Sequence, residues 1–231
     1  MRADLADAVE TNVVLILDHP PSGLSDLIGL ISTDRLLPVM KRPVSYSQGL
    51  VIEGPQGAIP SHQLVSIPSR KSLTVNNGRL ELHDLSGEFD WEGHGLHRDV
   101  AFLIDLLGVT SVKAIGANYL ATFTVPDGRT AVQYIGERFI GETASFLPRG
   151  LDVDGGQLRL YLTRNDSAKH VLSLEPRLQD PSSRDIFVSC NTETTTTGVP
   201  TTEQLAQILQ DGYDLLSHVV EALAPTTLQT V

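Results

Sequence analysis

Two hydrophobic periods follow one another in the last third of the chain, and together they leave few folds open. QLRLYLT, residues 157–163, alternates with period two: Leu158, Leu160 and Leu162 share one face, and Arg159 and Tyr161 the other. HVLSLEPRL (170–178) and DIFVSCNTE (185–193) follow, joined by the polar loops NDSAK and QDPSSR. Connections that short return each strand beside the last, so the segment reads as an antiparallel meander. The period then changes to that of a helix. Between Thr202 and Leu223, Leu205, Ile208, Leu209, Leu215, Leu216, Val219, Val220 and Leu223 form one broad apolar stripe. Thr201 with Gln204 fits a capping box at its start. A stripe so broad must be covered, and the apolar face of the meander is the nearest cover, so this helix is expected to lie across the sheet.

The rest of the chain extends the pattern. NVVLILD (12–18) is a continuous apolar run, as in a strand at the middle of a sheet. His19-Pro20-Pro21-Ser22-Gly23 breaks it, and Ser22 is placed to cap a helix carrying Leu24, Leu27, Ile28 and Ile31, bracketed at its end by Pro38 and Pro43. PVSYSQGLVIEG (43–54) and HQLVSI (62–67) read as strands. SLTV and RLELHDL on either side of NNG read as a hairpin, since Asn and Gly tolerate the positive φ of tight primed turns. Leu96, Val100, Leu103, Ile104 and Leu107 mark a second helix stopped by Gly108. SVKAIGANYLATFTV (111–125) is a strand ended by Pro126-Asp127-Gly128. A third helix follows, capped by Thr130, with Val132, Ile135 and Phe139 inward and Gly141 as its stop. The order β-α-β(3–4)-α-β-α-β-β-β-α defines an α+β fold with a mainly antiparallel sheet and helices packed on one face. Strand, helix, strands, helix occurs about twice. The expectation is one domain over residues 1–231, with two similar halves, 1–109 and 110–231, as sub-domains.

Charge and cysteine usage exclude several classes. The net charge is −11, and the 17 basic residues are scattered, the densest groups being Met40-Lys41-Arg42 and Arg70-Lys71. Phosphate backbones need clustered cations, so a nucleic-acid partner is not expected. The longest apolar run, Val13–Leu17, is far short of the ~20 residues a membrane span requires, so no membrane partner is expected either. MRADLADAVETN is acidic and has no long apolar stretch, unlike a secretion signal. The single cysteine, Cys190, rules out an internal disulfide framework and fits a reducing cytoplasm.

One stretch raises the question of chemistry. EFDWEGHGLHRD (88–99) holds His94 and His97 at a spacing that puts metal ligands on one helical face, with Asp90, Glu92 or Asp99 to supply oxygen. A metal-dependent hydrolase or a small-ligand site would centre there. Gly93 and Gly95 weaken the helix needed for that face, and acidic residues suit a helix N-terminus because its dipole favours negative charge. Trp91 would then staple the first turn, and the stretch would be only the entry to the second helix. That is the favoured reading, with no metal and no cofactor. Cys190 continues the inward phase of Ile186 and Val188 and is expected in the core. Nucleophile elbows, phosphate loops, dinucleotide fingerprints, H-E-x-x-H and C-x-x-C are absent, so no catalytic residue is assigned. Asp152 and Asp154 supply too few acidic ligands for a calcium loop. Thr194–Thr197 is β-prone and polar, as in an edge strand or exposed linker, and His218 borders the apolar stripe of the last helix.

Three stretches also carry a resemblance. SIPSRKSLTVNNGRLEL with the acidic, Trp-containing helix start after it, VKAIGANYLATFTV, and DIFVSC through the final helix resemble a family of sporadically distributed, uncharacterised bacterial proteins whose fold is compared with SecB-type export chaperones. The chain departs from that family at VSCNTE, where an acidic pair is more usual, and in lacking a Phe at the end of the last helix. The resemblance implies a binding role, chaperone-like or antitoxin-like, and carries over no catalytic residue. The expectation is therefore a non-enzymatic cytoplasmic protein that holds a protein partner or unfolded segment on a sheet face or groove. Trp91, Leu147 and Tyr213 are contact candidates. A free sheet edge would favour a homo-oligomer.

Overall fold

The computed structural model describes residues 6–32, 34–54, 57–87, 91–93, 95–140, 156–164, 168–177, 180 and 182–224. Strand β1 (Ala6–Leu17) leads through a 3-10 turn, Ser22–Asp26, to two short helices, α1 (Leu27–Ser32) and α2 (Leu37–Met40). Strands β2 (Tyr46–Gly54), β3 (Gly57–Ser66), β4 (Lys71–Asn76) and β5 (Arg79–Asp84) then precede helix α3 (Leu96–Leu107). The second half repeats the plan with β6 (Val112–Thr124) and α4 (Ala131–Ile135), which runs into a π-helical turn, Gly136–Ile140. After it come β7 (Leu158–Arg164), β8 (Ala168–Pro176), β9 (Asp185–Thr195) and α5 (Thr202–Leu223).

All nine strands form one antiparallel sheet in the order β2-β3-β4-β5-β1-β6-β9-β8-β7. Each half places its first strand at the centre and its last strand next to it, and the earlier strands run outward to the edge. This is the α+β architecture expected, built outward from the β1–β6 pair with four strands beyond β1 and three beyond β6. Asn12 faces Asn118 across that pair.

Alternation decides which side is dry. Val13, Leu15 and Leu17 of β1, with Ile115, Ala117, Tyr119, Ala121 and Phe123 of β6, enter one core cluster with the apolar stripes of α3 and α5. Helix α5 starts with the capping box read from Thr201 and Gln204 and lies over β6 and β9. It comes close because Gly212 has no side chain. A Cβ there would lie 3.0 Å from both the Tyr119 ring and the Thr192 hydroxyl. The Tyr119 hydroxyl donates to the Leu209 carbonyl at 2.8 Å, which fixes the helix at that point.

Several local expectations are corrected. The first helix is broken into a 3-10 turn and two short helices, and no side-chain cap forms at its start, where Pro21 rather than Ser22 is the capping residue. Its start is held by a tertiary contact. Gly23 sits against the end of α3, where a Cβ would be 3.0 Å from the Leu107 Cα. Strand β3 begins at Gly57, five residues before the expected His62. Its Pro60 is harmless because β4 pairs only with residues 61–66. The hairpin at NNG forms, but neither Asn77 nor Gly78 adopts positive φ; the Asn76 side-chain oxygen accepts from the Gly78 amide at 2.9 Å instead. Thr130 caps α4 as read, but Tyr134 turns inward and Phe139 is 37% exposed. The π turn adds a residue to the repeat and rotates Phe139 out. Thr194 and Thr195 lie inside the sheet, paired with Ile115 and Ala114, and not on an edge. Gly141, Leu147, Asp152 and Asp154 fall outside the described residues.

Leu216 is fully buried in the middle of α5. Leu216→Ala should cost about 2–5 kcal/mol through lost burial and the cavity left behind, read as a lowered midpoint in urea unfolding. Cys190 is also fully buried, and burial pushes its thiol up to about 11. It should react with a thiol reagent only as the protein unfolds, and rapid labelling of native protein would contradict its place in the core.

Candidate functional site

The stretch read as chemically suspicious ends in the first turn of α3. Trp91 is buried, its carbonyl accepts from the Leu96 amide, and its ring meets His97 edge-on at 5.5 Å between centroids. It therefore staples the helix start, as expected. Burial and the charge of Arg98 hold the His97 imidazole below its ordinary value, and its Nδ1 finds no hydrogen-bond partner among the described residues. Asp90 and His94 lie outside the described residues. Asp99 is engaged by two lysines: Lys41 Nζ at 2.8 Å from one oxygen and Lys71 Nζ at 2.8 Å from the other. Lys71 is itself buried and also reaches Asp84 at 3.5 Å. Among the described residues, no group of three His, Cys, Asp or Glu side chains is placed to hold a metal ion.

These residues form one wall of a cavity of about 650 Å³ on the helical side of the sheet. Arg98 reaches it across Gly95, at φ 67°, where a Cβ would collide with the guanidinium at 2.8 Å. The opposite wall is Lys41-Arg42, just after α2, and Lys71 rises from β4. Two of the three described non-glycine residues at positive φ, Lys41 (60°) and Arg70 (54°), belong to these two basic pairs. The sequence reading saw both pairs and judged them scattered. Strand pairing brings them together.

The other face of the sheet carries a different arrangement. One register row crosses all nine strands: Tyr46, Val65, Ser72, His83, Asn12, Asn118, Asn191, Val171 and Tyr161. At its centre, Asn118 donates to the Asn12 side-chain oxygen at 2.6 Å, and Asn12 donates to Glu10 at 2.7 Å. His83 stands between two carboxylates, with Nδ1 2.5 Å from Glu10 and Nε2 3.1 Å from Glu81. Burial alone would disfavour the imidazolium. The hydrogen bonds and charges of Glu81 and Glu10 outweigh it and raise His83 to about 9. The hydrogen bond from His83 holds Glu10 below its ordinary value. Glu81, penalised by burial, is also held down by His83 and Arg79. In the sequence, the alternation of Leu80 and Leu82 with Glu81 and His83 marks His83 as wet but gives no sign of the polar row it joins. Alternation marks which residues are wet but not which wet residues meet.

On the same face a groove of about 520 Å³ crosses six strands, from Arg79 of β5 and Val14 and Ile16 of β1, over Gly116 and Asn118 of β6, to Tyr161 of β7. A second depression of about 220 Å³ adjoins it and shares Asn118 and Asn191. Val14 is only 7% exposed yet lies outside the hydrophobic core cluster, because it forms part of the groove floor. Of the expected contact residues, Trp91 is buried and Tyr213 packs edge-on to Tyr119 at 6.2 Å on the helical side. Neither reaches the groove. No helix among the described residues is long and apolar enough to cross a membrane.

No family model matches the chain, and no curated protein matches it. Among solved structures it is similar to one described as Methanococcus jannaschii TBP, at 12% identity, covering 93% of this chain and 98% of that one, with a TM-score of 0.32. A likeness at that level bears on neither the function nor the ligand of this chain.

The charged row has a pH signature. His83 is raised from 6.5 to about 9, so its stabilisation is complete below about pH 6.5 and is lost as pH rises through 9. Glu10 and Glu81 lie below 4.5, so their contribution is present above that pH and is lost on acidification. Unfolding free energy should fall between pH 6.5 and 9.5 by on the order of 2 kcal/mol more in the native chain than in His83→Gln, after allowing for partial solvent screening. Parallel curves for the two proteins would show that the row is electrostatically idle.

Proposed function

We propose that this is a non-enzymatic binding protein that holds an extended polypeptide segment in the groove on the face of its sheet opposite α3 and α5. The observation that carries this reading is the groove itself, which spans β5, β1, β6, β9, β8 and β7 on the face opposite the core cluster. Its floor interleaves amide side chains, Asn118 and Asn191, with the apolar Val14, Ile16 and Val171. A peptide backbone needs the first kind of group and its side chains the second. Tyr161, 75% exposed at the rim, offers a rigid contact that costs little conformational entropy. Charge on this face is mixed, Arg79 and Lys169 with Glu193, which favours a neutral occupant over a polyanion. The family resemblance of the sequence points the same way, towards a chaperone-like or antitoxin-like role in the cytoplasm. The edge strands β2 and β7 are where a second copy of the chain would pair in a homo-oligomer.

The test is fluorescence anisotropy with an alkylated, permanently unfolded model polypeptide. The native chain should bind it saturably, and Tyr161→Ala or Asn191→Ala should weaken binding by about tenfold while leaving circular dichroism unchanged. Absence of saturable binding, or binding that ignores both substitutions, would refute the proposal.

A further inference from the structure

The cavity between α2, β4 and the start of α3 is independent of the groove and lies on the opposite side of the sheet. Its charge is unusual for this chain. The molecule as a whole carries −11, yet among the described residues the cavity gathers Lys41, Arg42, Lys71 and Arg98 against Asp84 and Asp99. The two lysines are spent on the two carboxylates, at 2.8 Å to Asp99 and, for Lys71, 3.5 Å to Asp84. Four cations less two carboxylates leave two positive charges, and these are the guanidiniums of Arg42 and Arg98. Among the described residues, no carboxylate forms an ion pair with either one.

The lysine–aspartate cluster keeps the site in place. Asp99, buried in the first turn of α3, ties that turn to Lys71 of β4 and to Lys41 after α2, so the three walls are bolted to one another. Ser86 is fixed in the same way. Its amide donates to Asp84 at 2.9 Å, and its carbonyl accepts from Arg70 at 2.8 Å. Unpaired with any carboxylate among the described residues, the two planar forks open on a space of about 650 Å³, with Pro38, Pro68 and the 38% exposed Phe102 as apolar walls.

We infer that this cavity is a binding site for a small organic anion, a carboxylate or phosphate held by Arg42 and Arg98 with an apolar body against Phe102. Guanidinium forks match the geometry of both oxyanions and bind them in bidentate fashion. The volume is in the range of small-molecule sites and several times what a bare inorganic anion would fill. Both guanidiniums are exposed at the mouth of the cavity, so an anion reaches them from solvent and its binding should weaken as salt is added.

The experiment is calorimetric titration of the full chain with phenyl phosphate, benzoate, inorganic phosphate and uncharged benzamide. Phenyl phosphate or benzoate should bind saturably, and which of the two binds more tightly identifies the oxyanion. Arg42→Gln and Arg98→Gln should each weaken that binding by about tenfold or more, whereas Lys169→Gln on the far face should not change it. Thermal melts of the variants without ligand control for folding. Three outcomes would overturn the inference: no aromatic anion binding below ~10 mM, inorganic phosphate or benzamide binding as tightly as phenyl phosphate, or equal weakening in Lys169→Gln. Groove binding of the unfolded polypeptide should survive both arginine substitutions, so the two proposals can fail separately.

Discussion

Everything in this structure hangs on one antiparallel pairing. β1 and β6, of 12 and 13 residues, lie side by side at the centre of the sheet with Asn12 opposite Asn118. An antiparallel pair has a local two-fold axis, and each half of the chain builds outward from its own member of the pair. His83 is to Asn12 what Asn191 is to Asn118, and one strand further out Ser72 corresponds to Val171. Neither half would bury its central strand alone. Each supplies the edge that the other must cover, which removes the two longest sheet edges at once.

The same correspondence shows where the halves have parted. Counting from the axis, Leu82 matches Cys190, Asp84 matches Thr192, and Lys71 matches His170. One half therefore keeps a buried ion pair where the other keeps a hydrogen bond, His170 Nδ1 to Thr192 Oγ1 at 3.0 Å. Buried ion pairs lose several kcal/mol of hydration per ion, and an apolar pair of similar size is often at least as stable. Stability alone does not account for Lys71 and Asp84. Their partner Asp99, and through it Lys41, joins them into the wall of a cavity of about 650 Å³, whereas the corresponding place in the second half, between Ala168, Thr194 and the first turns of α5, holds one of about 220 Å³ without such a cluster among the described residues.

Much of the fold was legible because side-chain period reports directly on local geometry. Cys190 was placed inward by the phase of Ile186 and Val188, and both capping boxes, Thr130–Gln133 and Thr201–Gln204, were written in the sequence as three-residue spacings. The errors lie where tertiary contact overrides local preference. Leu24, Leu27, Ile28 and Ile31 have helical spacing, but the segment opens as a 3-10 turn with Gly23 packed against Leu107, and helix stops at Ser32 before α2 begins. The threonines at 194 and 195 were sent to an edge because they are polar. Their polarity reflects the outer end of β9, where Thr194 lines a small cavity with Gln204 and Gln207 of α5, not an unpaired strand. Neither candidate site could be read from the sequence, for a common reason. His83 and Glu10 are 73 residues apart, and the basic pairs at 41–42 and 70–71 meet Arg98 only once the strand order is known.

Both sites also depend on a single register. Along β5, His83 points to the polar face and Asp84 to the helical side, where it meets Lys71. A slip of one residue would exchange them, placing a charged imidazole in the core and Asp84 beside Glu10 and Glu81. Two charges would then be buried or opposed without partners, at several kcal/mol each. The Asn76 side chain guards against that slip by closing the β4–β5 turn onto the Gly78 amide, while its own amide donates to the Ser61 hydroxyl of β3 at 3.1 Å. The turn, the ion cluster and the histidine row thus constrain one another, and a residue read from the sequence only as part of a hairpin signal sets the geometry of both faces.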